Sequence, residues 1–243
     1  MIEEATRGRL FRRSNAPEET KSLLSEFHDV VAKPHFPCFF AAAAFKNDEL
    51  LFGVGDISKG LDVVIDLFDA VVDRIREDID QTVVLWLTGS AASTLDDDRA
   101  LASRILKHLL TSDPTPWPDG HTMDPTDPTW DFWYKGVDFF VNVSTPHHKL
   151  RKSRNLGSAF TLVVQSRTSF DRLGDGASRA RTKIRERIGK HDLIDRSPAL
   201  GEHGAHPEID QFFLDDSNDS NVEGRLLTKE DIVREKAASG GKS

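Results

Sequence analysis

The run Trp130-Asp-Phe-Trp-Tyr-Lys-Gly-Val-Asp-Phe-Phe-Val-Asn-Val143 decides the fold class. Its halves, Trp130 to Tyr134 and Val137 to Val143, are rich in aromatic and β-branched residues, which suit a pleated, half-buried surface. Lys135-Gly136 between them has the length and the glycine of a tight hairpin turn, so an antiparallel pair is expected. The same strand chemistry recurs at Thr82 to Leu87 and at Ala159 to Gln165. Cys38 to Phe45 and Glu49 to Val54 are two more short apolar runs, and Lys46-Asn47-Asp48 between them predicts a second hairpin with a polar turn.

Helical spacing alternates with these strands. Pro17-Glu18-Glu19 opens a stretch with Leu23, Leu24, Phe27, Val30 and Val31 on one face, and Pro34 ends it. Ser58 is a candidate cap for a helix carrying Leu61, Val64, Ile65, Phe68, Val71, Val72 and Ile75 as one stripe. Asp96-Asp97-Asp98 opens another that runs to about Leu110, its acids at the positive helix end. A further helix carries Arg179, Lys183, Glu186 and Arg187 around Ile184 and Ile188, toward Gly189. A short one is capped by Thr228 with Asp231. Asp113 to Pro128 holds five prolines and no periodicity, so it reads as a long irregular loop. The expected fold is α+β: a mixed, largely antiparallel sheet with packed helices in a single domain. Residues 1–18 read as a flexible arm, 19–216 as the catalytic domain and 217–243 as a polar, partly disordered tail.

Composition narrows the function. A net charge of −8 argues against nucleic acid as a partner. No run reaches the roughly 18–20 apolar residues that span a bilayer, and the N-terminus lacks a secretory apolar core, so a cytoplasmic protein without membrane association is expected. Cys38 is the lone cysteine, which excludes an internal disulfide and any paired-cysteine metal motif. P-loop, GxGxxG, HExxH and GxSxG patterns are absent.

Against that acidic background, His147-His-Lys-Leu-Arg-Lys-Ser-Arg154 packs two imidazoles and four permanent cations directly after Pro146. From His147 to Arg187 the local charge is +8, which leaves −16 for the rest of the chain. Such segregation points to a held anion. Histidines on a proline-stiffened turn, with arginines a few residues on, suit a haem site, the imidazole ligating iron and the guanidiniums pairing with the propionates. The same residues also suit a non-catalytic anion-binding or partner-binding turn. Trp117, Trp130 and Trp133 flank the proline-rich loop, which is either pinned to the core by them or folded over a flat apolar ligand.

The order of motifs resembles the YqcI/YcgG family. The matching pieces are Phe36-Pro37-Cys38, Phe139-Phe140-Val141-Asn142 before a Pro-His turn, and Arg151-Lys-Ser-Arg154-Asn-Leu-Gly157. They continue with Ser169-Phe170-Asp171, Ile184-Arg185-Glu-Arg187 and Ser197-Pro198-Ala-Leu-Gly201. The resemblance covers roughly Lys33 to Asp216. It implies a haem b-dependent N-hydroxylase of a specialised-metabolite pathway. Such an enzyme acts on a small guanidino or amino compound such as arginine with O2 or peroxide, with an electron donor as a further partner and a homo-oligomer compatible with it. Where part of the family reads His-Pro, this chain has Thr145-Pro146, its histidines lying one and two positions later. The resemblance implies His148 as axial ligand, with His147 and then Cys38 as the other candidates. Arg151 and Arg154 would face propionates or a substrate carboxylate. Trp117, Trp130 and Trp133 would close the pocket, and Asp131 or Asp138 would pair with a guanidinium.

Overall fold

The computed structural model describes residues 10–172, 174–202, 204–219 and 224–240. Its centre is one six-stranded sheet, formed by β1 (Phe11–Arg12), β2 (Leu51–Asp56), β3 (Val83–Thr88), β4 (Phe132–Tyr134), β5 (Val137–Ser144) and β6 (Phe160–Ser166). The spatial order is β1-β2-β3-β6-β5-β4. Only β2 and β3 run parallel, joined by the crossover helix α3 (Asp62–Glu77); the other four pairings are antiparallel. The α+β, largely antiparallel expectation is met.

The β4–β5 hairpin turns at Lys135 and Gly136, both at positive φ (49° and 74°), the backbone that a two-residue turn of this hand requires. Strand β3 is buried on both faces, which explains its unbroken apolar run. Val83, Leu85 and Leu87 meet a core built from α3, α4 (Leu95–Ser112) and the inner faces of β4, β5 and β6. Val84 and Trp86 point the other way, into a smaller core with Phe27 and Val31 of α1 (Lys21–Val31) and Phe45 of α2 (Phe39–Lys46).

Helix α2 corrects the second expected hairpin. Ala41 to Ala44 are the strongest helix formers, no β-branched residue interrupts Phe39–Lys46, and the Cys38 sulfur accepts the Ala41 N–H at 3.4 Å as the cap. Strand β2 consequently pairs with β3, not with the segment before it. Helix α3 begins at Asp62, four residues beyond the expected Ser58 cap, because the chain between them turns through Gly60 at φ +137°, outside the helical region.

Within the arm, Phe11–Arg12 pairs with β2 and Phe11 is buried; residues 1–9 lie outside the described residues. At the other end, α8 (Lys229–Gly240) lies on α4, with Leu226, Leu227 and Ile232 in the main core. Its cap is the expected one, Thr228 and Asp231 exchanging backbone and side-chain bonds. Two more helices, α5 (Arg167–Arg172) and α6 (Gly174–His191), follow β6, and the single turn α7 (Ile209–Phe212) covers β5. Among the described residues no helix is long and apolar enough to cross a membrane.

Candidate functional site

Strand β5 ends at Ser144, and the basic turn that follows is closed on itself. The Thr145 N–H donates to the Arg154 carbonyl (2.9 Å), and the Asn155 amide donates to the carbonyls of Pro146 and His148 (3.2 Å each). Across this turn lies the segment 209–218. It supplies the anion that the charge pattern implies: the Asp216 carboxylate accepts the N–H groups of Lys149 (2.7 Å), Leu150 (3.0 Å) and Arg151 (2.8 Å). Burial pushes the Asp216 carboxyl up, but these three donors outweigh it and hold the group below its usual range. Asp192 does the same at Ser153, accepting its N–H (2.8 Å) and hydroxyl (2.9 Å).

The two arginines are likewise turned inward. Arg151 is fully buried and donates to the carbonyls of Asp215, Ser217 (3.0 Å) and Asp195 (3.3 Å). Arg154 donates to the carbonyls of Gln211 (2.7 Å), Phe212 (3.1 Å) and Val143 (3.4 Å). Burial, and secondarily the like charge of Arg151, pulls the Arg154 guanidinium down to about 9. Both forks are spent on backbone carbonyls, with the Asn218 side-chain oxygen a further acceptor for Arg151, so neither fits the expected role of propionate or substrate-carboxylate partner. Lys149 and Lys152 are the cations of the segment that face solvent.

The adjacent histidines have opposite surroundings. His148 is buried, with Nε2 2.8 Å from the Leu214 carbonyl and Nδ1 3.2 Å from the Thr145 hydroxyl. A carbonyl can only accept, so Nε2 carries the proton and Nδ1 accepts from Thr145. Desolvation holds its pKa below the ordinary histidine value. With both nitrogens engaged, the ring expected to ligate iron has no lone pair to offer. His147 does. Its Nδ1 lies 2.7 Å from Asp98 Oδ2, while Nε2 has no hydrogen-bond partner among the described residues.

His147 borders a cavity of about 320 Å³ with Leu23, Leu87, Gly89, Asp98 and Phe160. The cavity sits at the sheet end where β3 and β5 finish and β6 begins, the carboxyl end of the parallel β2–β3 pair. Gly89 is required in its wall: its φ is +72°, and a Cβ there would fall 2.3 Å from the Asp56 carboxylate. The lining is mixed: Leu23, Leu87, Ala159 and Phe160 give it an apolar side, and Thr88, Ser90, Asp98, His147 and Ser158 a polar one. For an implied haem, His147 Nε2 is the atom at this cavity that would ligate iron, whereas His148, Arg151 and Arg154 are committed elsewhere.

The remaining expected residues lie away from this cavity. The Cys38 thiol caps α2, and burial raises its pKa, which favours an inert thiol over a thiolate ligand. Trp130 is fully buried against Phe132 and Phe212; the Trp133 ring meets His121 edge-on at 4.7 Å, and the Trp117 N–H donates to the His121 carbonyl at 3.2 Å. These tryptophans pin the proline-rich loop to the main core. Asp138 accepts from the Ser166 hydroxyl (2.6 Å) and from the N–H (2.9 Å) and hydroxyl of Thr168, which anchors the start of α5. Asp131 is buried beside Trp130 and does not line the cavity. Asp98 is the site residue that sequence reasoning missed. In the run Asp96 to Asp98 all three read as helix-start acids, and only tertiary packing turns the third inward.

Similarity to known proteins agrees with the motif order. The chain is 32% identical over 196 residues to a Streptomyces lavendulae protein named "Putative N(omega)-hydroxy-L-arginine synthase DcsA", covering 73% of each. It is 26% identical over 214 residues to YqcI of Bacillus subtilis (strain 168), covering 83% of this chain and 84% of that one. YcgG of the same organism is 26% identical over 194 residues, covering 74% and 76%. No solved structure matches. With its defining sequence pattern matched over residues 27–223, the chain belongs to the YqcI/YcgG family.

Proposed function

We propose that the protein is an N-hydroxylase of a small guanidino or amino compound, arginine-like in its chemistry, working with a haem b whose iron His147 ligates. The reaction class rests on the 32% identity to the protein named as an N-hydroxy-arginine synthase, extended over 73% of both chains. The site assignment is carried by a single observation: His147 keeps one ring nitrogen free at the cavity while a buried carboxylate holds the other.

Bound haem would supply activation of O2 or peroxide, the oxidising chemistry that converting N–H into N–OH requires. The chain's part is positional. Asp98 holds the Nδ1 proton of His147, and the turn from Thr145 to Asn155 fixes the ring in space. Leu23, Leu87 and Phe160 supply the apolar part of the cavity wall, against which a flat apolar group would pack. If dioxygen is the oxidant, a pair of electrons must come from a separate donor; peroxide carries its own oxidising equivalents. A non-catalytic anion-binding role for the basic turn finds less support, because Asp216, Asp192 and backbone carbonyls already occupy its donors.

The test is turnover by protein produced with a haem precursor. Incubated with L-arginine and either peroxide or O2 plus a reductant, it should release a product heavier by one oxygen atom, detected by mass spectrometry. Absence of a Soret band in the wild-type protein would overturn the haem reading. A haem-loaded protein that oxidises neither arginine nor other guanidino or amino compounds would overturn the reaction class.

A further inference from the structure

Asp98 is 1% exposed, and among the described residues its carboxylate pairs with no lysine or arginine. Its recorded side-chain partner is His147 Nδ1, 2.7 Å away. A buried carboxylate without a cation needs another reason to be there. Its neighbours show how it comes to point inward. Thr94 caps α4 through the Asp97 N–H, and Asp97 answers by accepting from Ser93 and Thr94, so the cap is complete without Asp98. Asp96 and Asp97 stay exposed, and Arg99 turns to Asp215 on the far side of the turn. Asp98 in the first turn is left facing His147, its charge favoured by the positive helix end.

We infer that Asp98 is a positioning residue that fixes His147 in its Nδ1–H tautomer and thereby aims the Nε2 lone pair into the cavity. The inference rests on the proposed role of His147 as a ligand and adds the residue that selects its reactive nitrogen. An ionised carboxylate can only accept, so the shared proton sits on Nδ1. His148, one residue on, is held in the opposite tautomer by the Leu214 carbonyl. Metal-ligating histidines commonly donate their second N–H to a carboxylate, which orients the ring and strengthens it as a donor.

Protein labelled with 15N-histidine and prepared without haem tests this directly. At about pH 8.5, above the ordinary histidine range near 6.5, two-dimensional NMR should show His147 as Nδ1–H and His148 as Nε2–H. Asp98→Ala should convert His147 to Nε2–H and leave the His148 pattern unchanged. In the holoprotein Asp98→Asn should weaken hemin affinity by about 10- to 100-fold, with the thermal midpoint of the haem-free protein kept as a check on folding. His147 found as Nε2–H in the wild type would overturn the inference without any variant being needed. A wild type with the expected tautomers that takes up no hemin would overturn the haem reading instead, leaving Asp98's hold on the ring intact.

Discussion

His147 and His148 are neighbours in sequence, yet their rings meet different segments, Asp98 and Leu214. As a result His148 has both ring nitrogens engaged, while His147 keeps Nε2 without a partner among the described residues. His148 serves the fold by tying the 209–218 segment to the turn through Leu214. His148→Ala should destabilise the protein by about 2–3 kcal/mol, from a buried carbonyl left unpaired and the cavity left behind, measured by urea unfolding. Arg154 carries more, since three carbonyls share its buried fork. Arg154→Lys keeps the charge but not the planar geometry, and about 3 kcal/mol should be lost. Equal stability of that variant in the same assay would show that the fork is not needed.

At the scale of elements, segment 209–218 is strapped over the basic turn, and Asp216 is its main electrostatic clasp. Folding lowers the Asp216 pKa below the ordinary value near 3.9. Its contribution is therefore complete above about pH 4 and is lost as the pH falls through the folded value. Asp216→Asn should destabilise by about 2 kcal/mol at neutral pH, and the gap to wild type should close below pH 4 in unfolding titrations. Faster amide exchange at Lys149, Leu150 and Arg151 should accompany it. Where β3 leaves the sheet, Gly89→Ala should be destabilising, because its backbone and the nearby Asp56 carboxylate both exclude a side chain; an unchanged melting temperature would contradict this. The hairpin at Lys135-Gly136 and the α3 stripe were legible because turn chemistry and periodicity are local. Helix α2 was not: a short apolar run fits strand and helix alike, and its four alanines weigh against its flanking phenylalanines.

Taken as a whole, the chain separates its charge for internal reasons. The excess of cation between His147 and Arg187 suggested an external anion, but Arg151 and Arg154 hold backbone carbonyls, Arg185 pairs with Glu202, and Arg187 donates to the carbonyls of Pro34 and Phe36. Sequence located the turn and its histidines; it could not say which ring is free, since the deciding partners, Asp98 and Leu214, lie 49 residues before His147 and 66 after His148. The same distance hides the cavity, which needs α1, β3, α4, β6 and the turn after β5 together. The most direct test of this account is a hemin titration followed by absorbance, with His147→Ala and His148→Ala run beside the wild type. Loss of the Soret band in His147→Ala and its retention in His148→Ala is the predicted result; a band that survives removal of His147 and vanishes with His148 would contradict it.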